Sequence, residues 1–157
     1  MSAALAMPAF DEAQVSLRRA DASDRERIYE YNCSPDVRAV SGSSKAVSFA
    51  EHSRWYQSRL ADPYSPMWII ESDGRECGTV RIDARDGHNP KISIALAATA
   101  RGRGVGRRAI ELACLKWCGA IVAEIHETNY GSRACFTACG FSKIGRRGEL
   151  DVYLWSP

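Results

Sequence analysis

The chain has 157 residues, 45% of them hydrophobic and 25% charged, with 21 Lys and Arg against 19 Asp and Glu for a net charge of +2. One domain of this length buries roughly 70% of the surface its unfolded chain exposes, and the composition excludes a disordered or membrane-spanning chain. So small a net charge gives no support to a general nucleic-acid binder, and any basic function must be local.

The opening stretch "MSAALAMPAFDEAQ" lacks a basic n-region, and Pro8, Asp11 and Glu12 interrupt its apolar run. It reads as a flexible tail over 1–14 rather than a signal peptide, ahead of a single domain over 15–157. No stretch approaches the ~20 apolar residues of a membrane helix, so no membrane partner is expected. Six cysteines, Cys33, Cys77, Cys114, Cys118, Cys135 and Cys139, are expected to stay reduced in the cytoplasm. Cys114/Cys118 and Cys135/Cys139 share i, i+4 spacing, which invites a zinc reading. Structural zinc sites favour tighter C-x-x-C knuckles, so helix packing is expected and no metal.

In chain order, "VSLRRADASDRERIYEYN" predicts a short strand and then a helix opened by a Ser23–Glu26 capping box. "CSPDVRAVSGSSKAV" predicts loop with one helical turn near Asp36 to Val40. A second box, Ser48–Glu51, opens the helix "FAEHSRWYQSRL", which Asp62-Pro63 ends. The period then alternates through "MWIIES", "ECGTVRID" and "KISIALAA", predicting a three-strand antiparallel meander. "VGRRAIELACLKW" returns to helical spacing. "AIVAEIHE" predicts a strand with Ile121, Ala123 and Ile125 on one face and Val122, Glu124 and His126 on the other. A helix over "GSRACFTAC" and the strands "FSKIG" and "ELDVYLW" follow. The fold class is α+β, with a mixed, mostly antiparallel sheet of about six to seven strands flanked by about four helices.

Between the third meander strand and the next helix lies "RGRGVGRR", residues 101–108, with four arginines and three glycines. Free N–H groups and the positive dipole end at a helix start favour an anion such as phosphate. Gly104 and Gly106 let a ligand approach the main chain, and Arg101, Arg103 and Arg107 can add charge-assisted contacts. The P-loop pattern has no match, and G-x-G-x-x-G fails because Arg107 stands where its third glycine belongs.

The pattern R/Q-x-x-G-x-G/A is matched by Arg101, Gly104 and Gly106 and resembles the pyrophosphate-binding signature of the GNAT superfamily of acetyl-CoA-dependent acetyltransferases. "NYGSRACFTACGF" is similar to the later motif of that superfamily, with Asn129, Ser132 and Gly140-Phe141 in place, and the element order fits from Val15 onward. The resemblance implies acetyl-CoA as co-substrate, entering a splay between the fourth and fifth strands. It assigns cofactor contacts to Leu96, Ala98, Arg101, Gly102, Arg103, Gly104, Val105, Gly106, Arg107, Asn129 and Phe136. The pantetheine arm is expected along the edge at Leu96 and Ala98, with a backbone N–H near Leu96 polarising the thioester carbonyl.

In one branch of the superfamily a glutamate five residues before the motif asparagine is the base, which is Glu124 here. The same branch has a tyrosine acid seven residues after it, where this chain has Phe136. Tyr130, Cys135 or water is left to protonate the thiolate. Glu124 also reads as a strand carboxylate paired with an arginine, and His126 is the second candidate base.

The expected acceptor is a small-molecule amine. N-x-x-P-x-V-R (Asn32 to Arg38), the serine-rich loop and S-F-x-E-H-x-x-W (Ser48 to Trp55) resemble acetyltransferases that modify 4-amino sugars on nucleotide carriers in pseudaminic-acid-type pathways. Arg38 and His52 are the candidate contacts to such a sugar nucleotide, and the Trp55 stripe reads as core. "NYGSRACF" is also similar to enzymes that acetylate ribosomal-protein N-termini. A non-catalytic acetyl-CoA sensor stays open as well, as does the choice between monomer and homodimer.

Overall fold

The computed structural model describes residues 14–40, 45–84 and 89–157. The expected tail thus lies almost wholly outside the described residues, as does the serine-rich centre of the acceptor loop at 41–44. In chain order the elements are β1 (Val15–Arg19), α1 (Arg25–Cys33), α2 (Pro35–Ala39), α3 (Phe49–Leu60), β2 (Met67–Ser72), β3 (Arg75–Asp83), β4 (Lys91–Leu96), α4 (Val105–Leu115), β5 (Ile121–His126), α5 (Tyr130–Ala138), β6 (Ser142–Arg147) and β7 (Leu150–Trp155). Short 3-10 turns occupy Ala22–Asp24 and Ala98–Ala100.

One seven-stranded sheet runs β1-β2-β3-β4-β5-β7-β6. Every pairing is antiparallel except β4 with β5, which is parallel and is joined at a single register pair, Lys91↔Val122. The Val122 N–H donates to the Pro90 carbonyl at 2.7 Å there. The sheet is held shut at that end and splays beyond it, as the α+β reading with a fourth–fifth strand splay anticipates.

Successive strand residues face opposite sides, so adjacent Ile69 and Ile70 belong to different cores. Ile69 joins Met67, Ala20, Ile28 of α1 and Tyr56 of α3. Ile70 joins Val80, Ile82, Ile92 and the α4 stripe Val105, Ala109, Ile110 and Ala113, a core continued by Ile121, Ala123, Ile125 and Phe136. The helices α1 and α3 therefore cover one face and α4 and α5 the other. Glu124 and His126 alternate away from the second core, toward the α1 to α3 side.

The Ser48 hydroxyl accepts the Glu51 N–H at 3.1 Å, so Ser48 caps α3 as read, through the N-cap half of the expected box. The first is different: Asp21 caps, and Asp24 accepts the Asp21 N–H at 2.8 Å. Ser23 gives its hydroxyl to Asp21 instead. Asp24 is preferred because Arg18 holds it from β1 at 2.9 Å, a half-buried charge partner that no local pattern reveals.

The helix expected to reach Trp117 ends at Leu115, where the Lys116 N–H turns back on Leu112 and Ala113. Cys114 is buried, whereas Cys118 lies past that end and is exposed. Burial raises the Cys114 and Cys139 thiols to about 12, and Cys139 Sγ donates to the Arg107 carbonyl at 3.4 Å, so α4 and α5 pack through protonated thiols. Among the described residues no group of three or more His, Cys, Asp or Glu could hold a metal, and no helix is long and apolar enough to cross a membrane.

Candidate active site

The open edge of β4 is dictated by ladder alternation. The Ala97 N–H donates to the Cys77 carbonyl at 2.8 Å, which makes the adjacent pair Leu96↔Gly78 non-hydrogen-bonded. The N–H and C=O of Leu96, and of Ile94 two residues earlier, consequently turn away from β3 and into the gap that β5 has left. An extended ligand arm can pair there as an added strand would. Ala98 does not continue that edge, because the strand stops at Leu96 and Ala98 begins the 3-10 turn.

The arginine-glycine turn follows directly. Gly102 has φ 70° and Gly104 has φ 78°, so the chain enters α4 through left-handed backbone that glycine adopts without strain. No side chain caps α4 and no acidic residue stands in its first turn, so the N–H groups of Val105, Gly106 and Arg107 are left for an anion. Gly106 has a packing reason too, since a Cβ there would meet Leu96 Cδ1 at 3.1 Å. Arg101 donates to the Leu96 carbonyl at 2.8 Å and pairs with Asp36 of α2, holding the Asp36 carboxyl down at about 2. Arg107 pairs with Glu111 at 3.2 Å, and exposed Arg103 is on the same turn. These residues fit a pyrophosphate.

A cavity of about 700 Å³ opens beside this edge, lined from both sides of the splay. It gathers Glu124, His126, Asn129 and Phe136 with Arg38 and His52, while the turn from Arg101 to Arg107 lies outside its lining. Glu124 has only 14% of its side chain exposed, with Lys91 Nζ at 3.4 Å and Arg147 at 3.0 Å. His126 accepts the Thr128 N–H on Nδ1 at 3.2 Å, which puts its ring proton on Nε2, toward Glu149 at 3.3 Å. Both His126 nitrogens are thus occupied, and each Glu124 carboxylate oxygen faces a cation.

Asn129 lines the cavity and also caps α5, its Oδ1 accepting the Ser132 N–H at 3.2 Å. Phe136 is buried, packed edge-on against Phe141 with ring centroids 5.0 Å apart. Tyr130 is not brought to the site: it is 71% exposed, lies against Arg133 and does not line the cavity. Cys135 is half-buried toward Gly106, and burial keeps its thiol raised and protonated.

On the acceptor side Arg38 reaches the cavity from α2. His52 is buried in an aromatic cluster with Tyr29, Phe49, Trp55 and Tyr56, and its Nε2 lies 2.9 Å from the Arg25 carbonyl. Burial lowers its pKa, so it is held neutral as a bridge between α1 and α3. Trp55, expected in the core, packs partly buried against the Ile28–Tyr56 core and also lines the cavity. Sequence reasoning missed Arg81, which enters from β3 with its guanidinium carbon 5.1 Å from the Trp55 ring centroid. Burial pulls its pKa down to about 10, against the opposing charge of Asp83. Alternation in "TVRID" places Arg81 on the face opposite Val80 and Ile82, but only α3 turns that face into a cavity wall.

A family model described as an acetyltransferase (GNAT) domain matches residues 14–142. No curated protein matches the chain. Among solved structures, a domain from Methanocaldococcus jannaschii is similar at 23% identity and TM-score 0.79, covering 91% of this chain and 98% of that one. Spermidine N-acetyltransferase from Vibrio cholerae, in complex with CoA and spermine, is similar at 18% identity and TM-score 0.76, with 90% and 94% covered. A ribosomal L7/L12 alpha-N-protein acetyltransferase in complex with coenzyme A is similar at 16% identity and TM-score 0.76, with 91% and 94% covered. At these identities the likenesses speak for the fold.

Proposed function

The chain belongs to the GNAT acetyltransferase family and is an acetyl-CoA-dependent N-acetyltransferase, and from that premise we propose that its acceptor is the 4-amino group of a nucleotide-linked amino sugar. The observation that carries this reading is the cavity, which joins Arg38 and Trp55 on the helical side to Glu124 on the far side of the splay. A polar, phosphate-bearing acceptor suits a wall with arginines better than a polycation does.

Acetyl-CoA supplies the activated acetyl group. The N–H groups at the start of α4, with Arg101, Arg103 and Arg107 nearby, hold its pyrophosphate. The Leu96 N–H, turned into the gap, donates to the thioester carbonyl as negative charge develops there. Glu124 takes the proton from the attacking amine, directly or through one water, while Lys91 and Arg147 keep its carboxylate in place. Asn129 contacts the pantetheine arm from the α5 side; as the C–N bond forms the acyl C–S bond breaks, and because the apolar Phe136 ring can return no proton, coenzyme A leaves as its thiolate and takes a proton from water.

Release of coenzyme A thiol in the presence of a UDP-linked 4-amino sugar tests this reading. A rate no greater than with acetyl-CoA alone would defeat it.

A further inference from the structure

Two guanidinium groups flank the Trp55 ring, and they differ in partners. Arg59, 5.8 Å from the ring centroid, gives Nη1 to Asp83 at 2.8 Å and to Ser65 at 3.1 Å. Arg81, at 5.1 Å, has no hydrogen bond or ion pair to a carboxylate among the described residues, although it is half-buried in the cavity wall. Asp83, two residues along the same strand face, is near enough to act on Arg81 electrostatically but directs its carboxylate to Arg59.

A half-buried cation without an anionic partner is costly, so a site built this way is completed by an anion from outside. The aromatic ring holds the guanidinium plane and leaves its fork of N–H donors for oxygen, the geometry that suits a phosphate or carboxylate. Arg38 lines the same cavity from α2. The Glu124 carboxylate, across the cavity, is already bracketed by Lys91 and Arg147.

We infer that Arg81, steadied by Trp55, is a specificity determinant that binds an anionic oxygen group of the acceptor, phosphate or carboxylate, at a distance from the amine that reacts. The inference rests on the reading that the acceptor enters this cavity. It excludes polyamines as preferred substrates, because a polycation would meet the Arg81 charge without compensation.

The test uses protein saturated with coenzyme A, so that the cofactor's own phosphate site is filled, and titrates UDP, uridine and glucuronate by calorimetry. Wild type should bind UDP or glucuronate about tenfold or more tightly than uridine, the range of a charge-assisted hydrogen bond. Arg81→Met keeps the aliphatic stem against Trp55 and should erase that difference, while Arg81→Lys retains part of it. Coenzyme A affinity should stay within about twofold in both variants, reporting an intact fold. UDP preference names a phosphate as the source and glucuronate preference a carboxylate. Equal binding of all three probes, no binding of either anion, or a preference that survives Arg81→Met would overturn the inference. A UDP preference lost in Arg81→Met, with no acetylation of a UDP-linked amino sugar, would leave the Arg81 assignment standing and remove the proposed acceptor. Acetylation of that sugar with an unchanged KM in Arg81→Met would do the reverse.

Discussion

Glu124 on β5 reaches across to Lys91 on β4, Oε2 to Nζ 3.4 Å, beside the one backbone register pair at which these strands are joined. Glu124, which we propose takes the amine proton, therefore also ties the closed end of the splay, and the two roles can be separated. Glu124→Gln keeps the shape and removes the base, so kcat should fall by about 10²–10⁴ with little change in acetyl-CoA affinity. Lys91→Met removes the same ion pair and leaves the base, so its kcat should fall far less. Equal losses in the two variants would assign Glu124 to the sheet alone. His126→Ala, with both ring nitrogens already engaged by Thr128 and Glu149, should cost less than Glu124→Gln.

Gly104 enters α4 at φ 78° with no side chain capping the helix. Gly104→Val strains that backbone and obstructs the N–H groups behind it. Saturating acetyl-CoA at a hundredfold excess over Kd adds about 2.7 kcal/mol to a binding-competent protein. The ligand-induced rise in Tm should be present in wild type and absent in Gly104→Val, whatever the variant's own Tm. An undiminished rise would move the cofactor away from this turn.

Legibility in the sequence followed how local each signal is. The Ser48–Glu51 cap, the strand alternation of Ile121 to His126 and the glycine-arginine turn depend on neighbours within a few residues, and each forms as read. The first cap depends on Arg18, which selects Asp24 from a different element, so Ser23–Glu26 was a better local pattern than a guide to the fold. Arg81 drew no attention, and Trp55 read as core alone, because their meeting depends on how α3 crosses β3. The Glu149 contact at His126 Nε2 was invisible for the same reason, since Glu149 lies 23 positions away.

Among the described residues the cavity lining contains no tyrosine, Phe136 is buried within it, and Tyr130 stands 71% exposed outside it. The pH profile of kcat/KM should accordingly rise as amine or base deprotonates and then level off, without the fall near a tyrosine pKa of ~10. A descending alkaline limb that disappears in Tyr130→Phe would show that Tyr130 supplies the proton from outside the cavity as drawn.

Asp24, buried beneath Arg18, has its pKa lowered from 3.8, first by the Arg18 hydrogen bond, with the Asp21 N–H adding to it and burial opposing. A carboxylate depressed in the folded state stabilises the protein above its unfolded pKa, and that contribution disappears as pH falls through the folded value. Asp24→Asn should cost about 1–3 kcal/mol at pH 7, the range of a pair whose arginine is partly solvent-screened. Urea melts at pH 7 and at about pH 2 measure it. A penalty just as large at the lower pH would show that packing, not charge, is what Asp24 contributes.

The most direct test of the account is the ratio of kcat/KM values for three amines, a UDP-linked 4-amino sugar, a ribosomal-type peptide N-terminus and spermidine, all followed by coenzyme A thiol release. The cavity with Arg38, Arg81 and Trp55 at one end and Glu124 at the other predicts that the sugar nucleotide leads by about tenfold or more, with spermidine last. A lead of that size for the peptide or for spermidine, or thiol release at background with all three amines while acetyl-CoA still binds, would contradict it.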